Sequence, residues 1–149
     1  MKLLPAIWIM AGLLYVTEGS GQRLGQKDVP SVILNNFRKN YPKAFDVTWE
    51  KVRQLYKVEF STAESEDQEI WYNESLEMVR HVEEIVIRQV PEKIKNVIDT
   101  QYKKFKTEDL KKITMGKSIR FLIELESGDE ELEVTFSEDG EVLSQVKTD

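Results

Sequence analysis

A single histidine, no cysteine and 27 acidic side chains bound the chemistry open to this 149-residue chain. His81 alone cannot build a multi-histidine metal site, and without a thiol there is no Cys–His dyad, disulfide or thiolate–zinc centre. A Ser–His–Asp triad would have to use His81, which falls in a strand-like stretch with no nucleophile elbow nearby. Only seven glycines are present, and none forms a phosphate-cradling loop. His81 therefore reads as an exposed strand residue. Paired carboxylates could serve as general acid and base, provided two of them shared a cleft with separated pKa values. The densest acidic stretches, Glu64-Ser65-Glu66-Asp67-Gln68-Glu69 and Glu126-Ser127-Gly128-Asp129-Glu130-Glu131, lack calcium-loop spacing and read as solvated turns. No enzyme and no cofactor is expected, and the function indicated is binding.

The elements that would position these groups are written twice. Val29-Pro30 recurs as Val90-Pro91, each followed by an apolar stripe at helical spacing. Ile33, Leu34, Phe37 and Tyr41 form the first stripe, and Ile94, Val97, Ile98 and Tyr102 form the second, at an offset of 61. Proline suits a helix start, where its missing N–H would be unpaired anyway, and Pro42 stops the first helix. After each helix the period changes to two, which predicts strands near 46–52, 55–61, 68–73 and 76–82, then 109–115, 118–126, 130–136 and 141–147. Asp139-Gly140 is a tight-turn signal, matched in the first copy by Asn73-Glu74-Ser75-Leu76 without the glycine. There the offset has grown to 64, and the extra residues are expected in the turns around Arg53-Gln54 and Met115-Gly116-Lys117.

Each copy thus reads α-β-β-β-β, and one alone would bury too little to be stable. The predicted fold is α+β, with two tandem repeats sharing a core: one antiparallel sheet of about eight strands, and both helices on one face. The repeats span residues 22–89 and 90–149. Residues 1–21 read as a secretory signal peptide: a positive start at Lys2, an apolar run over residues 3–16, then Gly19 and Gly21 as small residues for cleavage. That run rises only ~21 Å as a helix, short of a bilayer's roughly 30 Å core, so no membrane span is expected after cleavage. The mature protein should be periplasmic or secreted. Its formal net charge of −6 argues against nucleic acid as a partner.

The other sheet face is left open to solvent. Alternation from Ile70 and Tyr72 sends Trp71 to that face, and the same parity sends Leu122 there, with Val79 and Leu143 as further aliphatics. Trp71, Lys57, Glu59, Leu122, Glu124 and Glu133 are the expected partner-binding residues, with Trp71 as a solvent-exposed anchor. The partner expected is an unidentified protein or peptide. The alternative function is structural, in maintenance of the cell envelope, with weak cation binding at the acidic hairpins.

Taken together, Val29-Pro30, Tyr41-Pro42, Val47-Thr48-Trp49-Glu50, Tyr56-Lys57-Val58-Glu59-Phe60 and Phe136-Ser137-Glu138-Asp139-Gly140-Glu141 resemble the β-lactamase-inhibitor-like, PepSY-like family of exported Bacteroidetes proteins. The resemblance runs from about Val29 to Gln145. It implies similarity to a protein that inhibits β-lactamase through its open sheet face, and to PepSY modules in peptidase propeptides. The family has no catalytic or inhibitory motif to transfer. Two departures stand out: Leu110 replaces the tryptophan at the position of Trp49, and the first copy lacks the Asp-Gly turn.

Overall fold

A computed structural model describes residues 21–148, so most of the predicted signal segment lies outside the described residues. Helices α1 (Ser31–Asn40) and α2 (Glu92–Gln101) directly follow Pro30 and Pro91. Each ends in a tyrosine whose N–H bonds back one turn, Tyr41 to the Phe37 carbonyl and Tyr102 to the Ile98 carbonyl. A short 3-10 turn precedes each helix, Gln26–Asp28 and Ile87–Gln89.

The strands are β1 (Gln22–Leu24), β2 (Phe45–Val52), β3 (Leu55–Ser61), β4 (Gln68–Tyr72), β5 (Met78–Glu84), β6 (Lys106–Met115), β7 (Ser118–Ser127), β8 (Glu130–Ser137) and β9 (Val142–Thr148). They form one antiparallel sheet in sequence order, β1 to β9. The sheet has nine strands where about eight were expected, because Gln22–Leu24 pairs with Lys51–Trp49. The two repeats join through β5 and β6, with His81 opposite Thr114 and Glu84 opposite Lys111.

The apolar side chains of the helices and strands meet on one face. Ile33 and Phe37 of α1 pack with Trp49, Val58, Phe60, Ile70 and Tyr72. Ile94 and Ile98 of α2 pack with Leu110, Phe121, Ile123, Val134 and Phe136. Each fully buried aliphatic side chain there contributes roughly 1.5–3 kcal/mol. Following the register from Ile70 through His81 and Thr114 to Ile119 keeps to the same face, so both helices cover one side of the sheet. The shared core expected from the sequence is instead two clusters, one per repeat, joined by the backbone ladder of β5 and β6.

The growth of the repeat offset has a different cause from the one expected. Both turns are two residues long, Arg53-Gln54 between Val52 and Leu55, and Gly116-Lys117 between Met115 and Ser118. The extra length, four residues, lies in the strands, and the connection from Phe60 to Gln68, one residue longer than that from Leu125 to Leu132, brings the offset back to 64. From Leu110 to Met115 is two residues more than from Trp49 to Val52, and Ser118 to Ile123 exceeds Leu55 to Val58 by the same two. An even insertion on both strands is the one that preserves facing, since a single-residue slip would turn every following side chain over.

Bulges also repeat. Register shifts fall between Phe45 and Thr48 and between Thr107 and Leu110, just ahead of the equivalent core residues Trp49 and Leu110. A second pair falls at Trp71/Tyr72 and Thr135/Phe136, leaving Val79 and Leu143 as the unpaired residues opposite. Such bulges bend a sheet and sharpen its twist.

Candidate functional site

The face away from the helices has no covering element among the described residues. Cross-strand register arranges it in rows. Arg23, Glu50, Lys57, Trp71 and Arg80 make one row from β1 to β5. Thr48, Glu59, Glu69, Val82, Ile113 and Arg120 make the next, from β2 to β7. Glu84, Lys111, Leu122 and Thr135 follow on β5 to β8.

A trough of about 810 Å³ runs along this face across the repeat junction. Its apolar floor includes Val82, Ile113 and Leu122, and its rim carries Asp46, Glu59, Asp67, Glu69, Glu84 and Asp109 against only Arg80 and Lys111. Burial, followed by the neighbouring charges of Asp67 and Asp109, a side-chain hydrogen bond with Asp67 and the charge of Glu66, holds the Glu84 carboxyl above its ordinary pKa. The pair is drawn together by the backbone, since the Glu84 N–H donates to the Asp67 carbonyl at 2.9 Å.

The six residues expected at the site all keep the open-face parity, and the structure divides them into three groups. Glu59 and Leu122 line the trough. Lys57 and Trp71 sit together in the adjoining row. Glu124 and Glu133 face each other on β7 and β8, beyond the trough.

Trp71 is on the open face as alternation required, but it is not the exposed aromatic expected there, being only 8% accessible. The Lys57 ammonium lies 5.7 Å from its ring centroid, Arg80 is its other cross-strand neighbour, and its Nε1 donates to Glu69 Oε1. Lys57 is itself clamped by Glu50 at 2.8 Å and Glu59 at 2.7 Å. Burial opposes its charge, but the hydrogen bonds it donates to the two carboxylates outweigh that cost and hold its pKa above the ordinary lysine value. Long stems laid across an aromatic face remove it from water without a protein layer above.

His81 also departs from expectation. It is buried, not exposed, and lies on the helix side between the two apolar clusters. Its Nε2 is 3.0 Å from Gln68 Oε1, and Gln68 Nε2 donates to Thr62 Oγ1 at 2.9 Å. Glu83 approaches its Nδ1 at 4.0 Å and pairs with Lys112 at 3.2 Å. Burial lowers the His81 pKa, Glu83 partly restores it, and Lys112 lowers it further. This polar seam fills the gap between the repeats. Among the described residues, no three His, Asp or Glu side chains converge as metal ligands, at the acidic hairpins or elsewhere.

Sequence reading missed Glu69, Val82, Glu84, Asp109, Lys111 and Ile113 as trough residues. Glu69 was available by alternation from Ile70. The others depend on the β5–β6 register across α2, for which the sequence carries no local signal.

The fold has solved relatives. A DUF2874 family protein from Bacteroides uniformis superposes with a TM-score of 0.69 at 17% identity, over 80% of this chain and 89% of that one. A BLIP-like protein from Bacteroides fragilis matches with a TM-score of 0.66 at 19% identity, over 79% and 85%. A Bacteroides eggerthii protein proposed to be periplasmic matches with a TM-score of 0.70 at 18% identity, over 80% and 88%. None of the curated proteins matches the chain. The family model described as beta-lactamase-inhibitor-like, PepSY-like matches twice, over residues 14–77 and 54–144. With two family matches that together span most of its length, and the doubled helix-on-sheet architecture to go with them, this chain belongs to the beta-lactamase-inhibitor-like, PepSY-like family.

Proposed function

We propose that this protein is an exported, non-catalytic binding module that engages a protein or peptide through the open face of its sheet. The observation that carries this reading is the asymmetry of the sheet: helices bury one face, while the other bears an uncovered trough with an apolar floor and a charged rim. A concave surface of this kind suits an extended partner segment. Export is supported by the apolar run at residues 3–16 and by the periplasmic proposal for the Bacteroides eggerthii relative. Among the described residues, no helix is long and apolar enough to cross a membrane.

Leu122, Glu59 and Lys57 are the proposed contact residues from β3 and β7, and Glu124 and Glu133 would extend the contact toward β9. Trp71, itself buried, supports this surface as a rigid platform beside Lys57. The test is site-specific photo-crosslinking in cells, with the reactive side chain at Leu122 on the open face or at Asn96 on the exposed side of α2. A discrete, saturable protein adduct from position 122 and none from position 96 is expected. Equal adducts from both positions, or none from either, would overturn the reading.

A further inference from the structure

We infer that the open-face trough is built for a cationic partner: an extended segment that places a Lys or Arg at the repeat junction and aliphatic side chains on the floor beside it. This inference rests on the proposed binding role of the open face and specifies the chemistry of its partner.

Charge is the first argument. Several rim carboxylates are already satisfied: Glu59 pairs with Lys57, and Glu69 accepts from Trp71 Nε1. At the junction the situation is reversed. Glu66, Asp67, Glu84 and Asp109 come from the β3–β4 turn, β5 and β6; among the described residues none of the four is in an ion pair, and only Asp67 and Glu84 share a side-chain hydrogen bond. Their mutual repulsion is a cost the free protein carries and that an incoming ammonium or guanidinium removes. A bare divalent ion is a poorer match, since no three of these groups converge as ligands among the described residues.

The floor is the second argument. Val82 and Ile113 are cross-strand partners, and Leu122 lies one row on, so a continuous aliphatic strip adjoins the carboxylates. A Lys or Arg stem can lie along such a strip while its head reaches the acids.

A random dodecapeptide library displayed on phage, selected against the purified protein, tests the inference. Two altered proteins serve as comparisons: Glu84→Gln with Asp109→Asn, which removes junction charge, and Val82→Arg with Ile113→Arg, which blocks the floor. Circular dichroism must first show that both are folded and melt no lower than the parent. Expected are enriched peptides rich in Lys or Arg, binding at least tenfold more weakly to each altered protein and losing affinity as salt rises. Enriched peptides that need the floor but carry no cationic bias would overturn the charge inference and leave the binding-face reading standing. Peptides indifferent to both alterations, or no enrichment at all, would overturn both.

Discussion

Replacing Trp71 by Ala should destabilise the protein, even though Trp71 lies on the face with no protein layer above it. A tryptophan hidden to this degree removes about 200 Å² from water. At about 25 cal/mol per Å² the upper bound on its contribution is roughly 5 kcal/mol. Its neighbours on this face, Lys57 over the ring and Arg80 on the next strand, are long side chains that can settle into the vacated space more easily than a closed core can. A net loss of about 2–3 kcal/mol follows, including about 0.5–1 kcal/mol from the cation–π contact. Guanidinium unfolding followed by far-UV circular dichroism measures it directly, and the thermal midpoint should fall by roughly 10 °C. Trp71→Phe should lose about 1 kcal/mol, since the ring platform remains and only the Nε1–Glu69 hydrogen bond and part of the area go. A Trp71→Ala midpoint within about 2 °C of the parent would refute the reasoning, because the ring would then be solvated and free to anchor a partner.

Two turns at equivalent places make a reciprocal pair of tests. Leu76 holds φ at 68° where the second repeat has Gly140 at 85°, so Leu76→Gly should stabilise by about 1 kcal/mol in denaturant unfolding. Gly140→Ala should cost about 2 kcal/mol, since its Cβ would also stand 3.0 Å from the Lys93 carbonyl oxygen; equal effects of the two changes would contradict this. His81 has a pKa lowered from 6.5, so the unfolded chain takes up the proton first and stability declines as pH falls below about 6.5 toward the folded value. His81→Gln should flatten that part of the stability–pH curve, and an unchanged slope would show that another group titrates there. Residues 22–89 alone should be unfolded by circular dichroism, since one small cluster and an exposed β5 edge remain, while the whole protein melts in a single step. Two separate transitions would mean that the β5–β6 ladder does not couple the repeats.

Much of the architecture was readable because its signals are local. The alternation of Tyr56, Val58 and Phe60 located β3 at 55–61, and Phe121, Ile123 and Leu125 located β7 nearly as closely. Gln22–Leu24 was missed as a strand because three residues are too few to show a period. For Trp71, parity was legible but exposure was not: facing depends on the residue's own strand, whereas cover depends on side chains from β3 and β5. The same distinction explains His81. It sits on the covered face of β5, between two apolar clusters, and nothing within residues 76–82 reveals that the flanking helices leave a polar gap there.

The strictly sequential order of the nine strands bears on how the chain reaches this structure. The hairpins close between neighbours in sequence, and the two pairings that must wait for a longer excursion are β1 with β2, across α1, and β5 with β6, across α2. Local closure of this kind keeps contact order low for a β-rich protein and favours rapid folding. Since one repeat alone buries too little to persist, its hairpins are secured only when β6 docks on the edge of β5. No strand has to be threaded between two others already in place.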